Sequence, residues 1–177
     1  MNLRIFEARY LDMIGRCMKA EANFGVCLIA EGEEVGTPAV PHRIGTEARI
    51  TDWDMSEPGI LGLVIRGERR FRVLEQVVDE SGLVTGIVEW LDEPAPVAAS
   101  EKLQSLQPLM QVILGDAGET RIARPHALED AAWVGYRYAE VLPIPALARQ
   151  KLLELEDAEL RLSIIAEYLI KQGLLKH

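Results

Sequence analysis

Apolar residues follow a helical spacing at the start of the chain, a strand-like spacing in the middle and a helical spacing again towards the end. Tyr10, Ile14 and Cys17 recur at intervals of four and three, so residues 7–20 are predicted to form an amphipathic helix. Short β-rich runs follow, separated by glycine and proline turns. These predicted strands are 24–30, 44–53, 60–66, 70–78 and 83–91.

The last of these runs is apolar on both faces. Leu83, Ile87 and Leu91 lie on one side, and Val84, Val88 and Trp90 lie on the other. A strand with one face in water would alternate apolar and polar residues, so this strand is predicted to be covered twice. A small closed or half-closed β-barrel with a helix packed outside it would provide that cover.

The second half of the chain has a helical pattern throughout. Pro94 and Pro96 fix φ and end the last strand, and Ser100 can cap the helix that follows. Four apolar stripes at helical spacing come after it, with Pro108 expected to kink the first helix and Pro145 expected in the first turn of the third. The chain is therefore predicted to have an α+β fold, with a β-rich barrel in 1–93, a Pro/Ala linker in 94–100 and a helical bundle in 101–177.

The charge of the chain is unfavourable for nucleic acids and anionic membranes. The formal net charge is -9, with ten Lys/Arg against sixteen Asp/Glu in residues 1–92 and nine against twelve in residues 93–177. Neither half offers a long-range positive field. The apolar runs are too short to span a bilayer and no signal peptide is recognisable, so the cytoplasm is the expected location.

The residues that usually bring chemistry to a protein are poorly placed for it here. His42, His126 and His177 have no second ligand at metal-site spacing, and Cys17 and Cys27 form no CxxC pair and are expected to be buried as small apolar residues. The acids at 31, 33 and 34, and those at 52 and 54, are expected in solvated turns. The serines form no G-x-S-x-G elbow, and no phosphate-binding G-x-x-x-x-G-K-[ST] loop is present. We therefore expect no metal, no cofactor and no catalytic residue.

One dense basic cluster consists of Arg66, Arg69, Arg70 and Arg72. Cross-strand acids on the surface of the barrel are the simpler explanation of such a ladder. The alternative is a strand that contacts RNA, although the cluster lacks interleaved aromatic residues for base stacking.

Five short motifs occur in an order and spacing that resemble a known family. They are Phe6-Glu7-x-Arg9-Tyr10; Phe24-Gly25-Val26; Ile44, Gly45, Thr46 and Ala48; Gly67, Arg70 and Phe71; and Lys151 to Leu155 followed by Arg161 and Leu162. Together they resemble the N-terminal, substrate-binding domain of the Lon protease family, met here as a stand-alone chain. The resemblance implies a β-barrel like that of pseudouridine synthase and archaeosine transglycosylase (PUA-like), followed by a helical bundle. It also implies recognition of polypeptide without any catalytic residue of the protease.

The chain departs from the family pattern at its start. Relatives have an apolar strand ahead of the Phe-Glu motif, whereas only Met1 and Asn2 precede Leu3-Arg4-Ile5 here, so the first family strand is expected to be missing. A barrel that lacks a strand exposes a sheet edge, and such an edge could pair two copies into a homodimer. Ala8 replaces a common proline and is compatible with a helix.

The few aromatic residues are the candidates for a binding surface. Strand alternation places Trp53 on the side of Glu47, Arg49 and Thr51, so we expect its side chain to be exposed. Trp90, Trp133 and Tyr136 could line a groove between barrel and bundle, although packing in the core is the commoner role for such side chains. The favoured hypothesis is a non-catalytic module for unfolded or extended polypeptide, acting as an adaptor or holding factor with a protease or chaperone system. The alternative is a PUA-like RNA-binding module.

Overall fold

Two compact units, Met1–Asp92 and Glu93–His177, divide the chain. The structure is a computed structural model that describes residues 1–33, 35–92, 100–116, 122 and 124–175. Most of the predicted linker, together with Glu34 and His177, lies outside the described residues. The elements are β1 Asn2–Ile5, α1 Ala8–Ala20, β2 Phe24–Val26, β3 Ile29–Glu31, β4 Val40–Pro41, β5 Ile44–Glu57, β6 Ile60–Val78, β7 Val84–Trp90, α2 Glu101–Asp116, α3 Ala131–Val141, α4 Ala146–Glu154 and α5 Ala158–Lys171.

The long strand β6 organises the sheet of the first unit. It pairs with β5 along one edge, while its other edge pairs first with β1 and then with β7, all antiparallel. β2 extends the sheet beyond β5, and β3 and β4 form a separate ribbon. The pairings of the described residues thus give an antiparallel sheet and do not by themselves close a barrel.

A short strand precedes the Phe6-Glu7 motif. Asn2–Ile5 form β1, in which Leu3 lies opposite Leu63 of β6. β1 therefore pairs with β6 along Leu61 to Val64, and the missing family strand stays a prediction.

One face of this sheet packs on α1. Ile14 of the helix is fully buried against Ala48, Leu61, Leu63 and Ile65 of β5 and β6. Burial of such apolar side chains is the main favourable contribution to the stability of this unit. Leu3, Ile5 and Ile50 lie at the border of this core and are half-buried.

β7 differs from its prediction, because it is not covered on both faces. Leu83, just before the strand, is buried, but Ile87 is 62% exposed and Trp90 is 44% exposed. The apolar pattern of β7 therefore does not mean that both of its faces are covered. Among the described residues, apolar side chains of this strand lie exposed on the surface.

Among the described residues of the second unit, the helices α2 to α5 pack around a separate core. Leu103, Leu106 and Met110 of α2 meet Val134 and Tyr138 of α3 and the apolar face of α5, and all five are completely buried. Pro108 does not end the helix, since α2 continues through it to Asp116. The predicted α+β class is confirmed as an antiparallel sheet region followed by helices.

Candidate functional site

The largest exposed aromatic side chain of β5 lies at the end of the face that forms the core of the first unit. Trp53 is directly opposite Leu63, and opposed residues of antiparallel strands point to the same face. Leu63 is buried and borders Leu3 of β1, whereas the Trp53 side chain is 52% exposed. We call the exposed surface of Trp53 and Met55, beside the half-buried Leu3, the Trp53 face.

The route by which Trp53 reaches this face was not predicted. With regular alternation, Trp53 and Ile50 would lie on different faces of β5. The register shifts between Ile50 and Asp52, however, so one residue of β5 has no partner in β6. A bulge of this kind re-aims the following side chains. Ile50 and Trp53 consequently share a face although they are three residues apart. Met55, two residues beyond Trp53 and 64% exposed, was missed; its spacing from Trp53 was the available signal.

The polar groups around the Trp53 face are paired with one another. Asp52 accepts a hydrogen bond from the Trp53 amide at 2.9 Å, and Asp54 accepts from the Ser56 hydroxyl at 2.6 Å. Arg4 and Glu57 form an ion pair at 2.6 Å. These acids lie in or at the end of β5, not in the turn expected for Asp52 and Asp54. Exposed apolar side chains therefore alternate with exposed acids at this end of the strand, where Asp52 and Asp54 lie opposite Val64 and Gly62, on the other face from Trp53.

Trp90 belongs to a stacked cluster and is less free than its exposure suggests. Its ring meets the buried Phe71 ring edge-on, with centroids 6.2 Å apart. The Arg69 guanidinium lies 4.0 Å from the Trp90 centroid and is held by Glu47 at 3.3 Å. Cation–π stacking and the ion pair together fix one side of the indole.

The basic cluster is neutralised by acids on neighbouring strands. Arg69 pairs with Glu47, and Arg72 pairs with Glu89 at 2.8 Å. Arg70 is buried, with only 3% of its surface exposed. Arg49 of β5 likewise pairs with Glu68, at 3.0 Å. This arrangement is the cross-strand ladder, which leaves little free positive charge for phosphate groups.

Glu7 and Arg9 of the first motif hold α1 to the sheet region. Arg9 is buried, lies 2.8 Å from the Glu7 carboxylate and donates to the Gly82 carbonyl at 3.0 Å, in the turn between β6 and β7. Glu7 also accepts from the Gly36 amide at 3.1 Å, and the Arg9 guanidinium lies 4.8 Å from the Tyr10 ring. These contacts give the motif a structural role. Phe6, by contrast, is exposed.

The two aromatic candidates of the second unit lie on α3. Trp133 is half-buried beside the His126 ring, at 5.8 Å between centroids. Tyr136 stacks on the Arg161 guanidinium at 4.0 Å, and its hydroxyl accepts a hydrogen bond from Arg161 at 3.1 Å. The predicted groove that joins them with Trp90 stays a prediction.

A shallow polar pocket lies beside the turn between β6 and β7. It is lined by Arg9, Asp12, Arg16, Asp79, Glu80 and Ser81. The Ser81 hydroxyl donates to the Asp79 carboxylate at 2.5 Å and lowers its pKa, with the Leu83 and Ser81 amides acting in the same direction. These bonds shape the turn, and nothing in them indicates proton transfer.

Metal-binding and membrane-spanning features are not seen in the described part of the chain. No group of three or more His, Cys, Asp or Glu residues there is arranged to hold a metal ion. No described helix has the length and apolar character needed to cross a membrane.

Burial raises the pKa of the Cys27 thiol to about 11 and also raises that of Cys17.

Comparison with known proteins places this architecture in a family. The model of the ATP-dependent protease La (LON) substrate-binding domain matches residues 1–171. The crystal structure of a Lon N-terminal domain protein from Xanthomonas campestris is 37% identical, covers 93% of this chain and 86% of its own, and superposes with a TM-score of 0.76. The N-terminal domain of Mycobacterium avium complex Lon protease shares the fold at 16% identity, with a TM-score of 0.59 over 95% of this chain and 89% of its own. No curated protein matches. The resemblance found in the sequence is confirmed, and the chain belongs to the Lon substrate-binding domain family.

Proposed function

We propose that this chain binds unfolded or extended polypeptide through the Trp53 face and performs no chemistry on it. The observation that supports the proposal most directly is the exposure of Trp53 and Met55 at the end of an apolar core face, in a member of a substrate-binding family. Exposed apolar surface of this kind is a usual sign of a binding site. We propose that the chain acts as an adaptor or holding factor and that it does so in the cytoplasm. We also propose that its sheet region closes into a PUA-like barrel.

The chemistry of the Trp53 face suits a polypeptide without a fixed sequence. An indole and a thioether give a large contact area with few polar requirements, and methionine adapts its shape to different partners. Asp52 and Asp54 lie opposite Val64 and Gly62, on the other face of the strand pair, so an apolar segment bound on the Trp53 face would not cover them. Aromatic anchors at interfaces typically lose about 2 kcal/mol or more of binding energy on truncation.

Replacement of Trp53 by alanine tests the proposal. We expect Trp53→Ala to weaken capture of reduced, carboxymethylated α-lactalbumin, a permanently unfolded protein, by about tenfold or more. The melting temperature should change little, because half of the side chain is already in water. Fluorescence anisotropy of the labelled unfolded protein measures the affinity, and circular dichroism measures the melting temperature.

Val64→Ala is the matched control for the opposite face of the same strand pair. Val64 is 39% exposed and lies opposite Asp52, so its side chain points away from the Trp53 face. This variant should bind the unfolded protein as the wild type does. Unchanged affinity in Trp53→Ala would remove Trp53 from the site, and a large fall in its melting temperature would assign Trp53 to the core.

A further inference from the structure

Beyond Val73, β6 and β7 form a two-stranded ribbon with exposed apolar side chains. Ile87 lies opposite Glu75, and Val77 lies opposite Thr85, so these four residues share one face. Val77 is 66% exposed and Ile87 is 62% exposed, and both border a shallow hollow next to Gly86. We call residues 74–78 and 84–88 the β6–β7 ribbon.

The outer edge of β7 has a defined set of unpaired main-chain groups. The Leu91 amide donates to Arg70, and the Leu83 carbonyl accepts from Asp79, so odd-numbered residues face β6. Successive strand residues direct their N–H and C=O groups to opposite edges. The even-numbered residues Val84, Gly86, Val88 and Trp90 therefore present theirs to the outer edge, where β7 has no partner strand among the described residues.

Between Val84 and Val88 this edge lacks the features that normally prevent strand pairing, and the charge of Glu89 beyond it is paired with Arg72. Natural edge strands use lysine, proline, inward charges or bulges to block a second strand. Residues 84–88 of β7 contain no charged residue and no proline. β7 is regular along this stretch. The register shift between the two strands lies between Val73 and Glu75, so the extra residue belongs to β6 and not to β7. The edge is therefore suited to accept an extended chain.

The charge around the ribbon discriminates between a second copy and a different partner. Residues 74–88 contain Glu75, Asp79 and Glu80 and no Lys or Arg. Glu75 is exposed beside Ile87 and has no ion pair among the described residues, whereas Asp79 lines the same pocket as Arg9 and Arg16 at the turn. Two ribbons from identical chains would bring these acids together. An apolar segment with basic residues at its ends would instead complement them.

We infer that an extended client segment binds by adding an antiparallel strand to the outer edge of β7. The client segment would have alternating apolar residues and flanking Lys or Arg residues. Its main chain would pair with Val84, Gly86, Val88 and Trp90, and alternate side chains would rest on Val77 and Ile87. Strand addition is an established mode of peptide recognition in which main-chain hydrogen bonds provide affinity and pockets provide specificity. The inference rests on the proposed function and specifies the second contact, beside the Trp53 face.

Amide hydrogen exchange in the wild-type protein tests the edge directly. The probe is a synthetic peptide of alternating valine and threonine with a pair of lysines at each end, and exchange is followed by NMR. Binding should slow exchange at the amides of Val84, Gly86, Val88 and Trp90. The amides of Thr85 and Ile87 face β6 and should change little. Bound peptide without slowing at the even-numbered amides would overturn the inference.

A proline at an outward-facing position gives the matching variant. Val88→Pro removes a donor that points away from β6, a placement that edge strands tolerate. We expect its affinity for the lysine-flanked peptide to fall about tenfold, whereas Val88→Ala, which keeps the amide, should stay within about twofold of wild type. Equal affinities of the folded proline and alanine variants would contradict strand addition.

The outcomes separate this inference from the proposed function. If wild-type protein fails to bind carboxymethylated α-lactalbumin at all, the proposed function fails. If it binds and Trp53→Ala weakens it, but Val88→Pro behaves like Val88→Ala, only the strand-addition inference fails. A peptide with glutamates in place of the lysines should bind several-fold more weakly. Concentration-dependent dimerisation without peptide, abolished by Val88→Pro, would assign the edge to a second copy and overturn the inference.

Discussion

At the scale of single residues, two glycines are required by one buried ring. A Cβ atom on Gly25 would lie 2.9 Å from the Phe71 ring, and one on Gly45 would lie 2.6 Å from the same ring. The Gly45 position is tighter still, since the added atom would also lie 2.5 Å from the Cys27 sulfur and 2.7 Å from the Val26 carbonyl oxygen. Three of the family motifs therefore meet at Phe71.

Gly45→Ala should destabilise the protein by about 2–3 kcal/mol, because the new methyl group overlaps buried atoms on three sides. Urea unfolding followed by tryptophan fluorescence measures the change. Gly15→Ala in α1 is the control, since a Cβ atom there would meet nothing within 4 Å. Because alanine has a higher helix propensity than glycine, this variant should have a free energy of unfolding about 0.5–1 kcal/mol higher than the wild type. Equal stability of Gly45→Ala and the wild type would show that Phe71 can move aside.

The thiol of Cys27 should react slowly at neutral pH. Its pKa is raised to about 11 by burial, and only the thiolate is nucleophilic. In a Cys17→Ser variant, the reaction rate with a disulfide reagent at pH 8 should be roughly a hundredfold lower than in the urea-unfolded chain. The rate in the folded protein should keep rising with pH to about 11, whereas it levels off near 9 in the unfolded chain. A folded-state plateau near pH 9 would contradict burial of this thiol.

The motifs are visible in the sequence, but the packing that they serve is not. The motifs containing Gly25, Gly45 and Phe71 were recognised from their order, yet nothing in a sequence shows that two glycines lie under one ring. Trp53 was predicted to be exposed from regular alternation, and a bulge places it on the other face. A bulge depends on the pairing of two strands, so the sequence of either strand alone does not reveal it.

At the scale of elements, Arg161 of α5 joins two helices of the second unit. It is completely buried, and its guanidinium donates to the Leu152 carbonyl at 2.9 Å and to the Leu155 carbonyl. These carbonyls lie at the C-terminal end of α4, where intrahelical donors run out and a positive charge is favoured. Gly135 of α3 makes room for this side chain, since a Cβ there would lie 2.9 Å from the Arg161 Cδ atom.

Arg161→Met should lower the free energy of unfolding by about 3 kcal/mol, because buried carbonyl groups would lose a charged donor. Arg161→Lys should lose less, since the ammonium keeps the charge but cannot reproduce the fork of donors. Thermal unfolding is followed by far-UV circular dichroism, which measures the loss of helix, and the variants are compared with the wild type. An Arg161→Met variant as stable as the wild type would show that the side chain at position 161 stabilises the protein by packing and not by capping α4.

The sequence predicted most elements because their periodicity is strong. Residues 7–20 were predicted as a helix and α1 spans Ala8–Ala20; the run 83–91 was predicted as a strand and β7 spans Val84–Trp90. The division of β6 into two strands at Gly67 was wrong, since one strand of 19 residues runs through it. Gly67 pairs with Ala48 beside a register shift, so this glycine accompanies a bulge and does not end the strand.

At the scale of the whole molecule, net charge separates polypeptide binding from nucleic-acid binding. The chain carries a net charge of -9, and its densest arginine cluster is largely matched with acids or buried. A protein that binds RNA through several phosphate contacts releases counterions, so its affinity falls steeply with salt. Apolar contacts on the Trp53 face would lack that dependence. The alternative of an RNA-binding module therefore makes a contrasting prediction for the same protein.

The affinity for carboxymethylated α-lactalbumin should change by less than about threefold between 50 and 200 mM salt, whereas several phosphate contacts would cost about a thousandfold. Fluorescence anisotropy at a series of sodium chloride concentrations measures both cases, with a labelled single-stranded RNA as the second ligand. We expect no saturable RNA binding at physiological salt, because the field around both halves of the chain is negative. The Arg69→Ala variant provides the control, since Arg69 lies over the exposed indole of Trp90. RNA binding that falls steeply with salt and is weakened by Arg69→Ala would favour the nucleic-acid module instead.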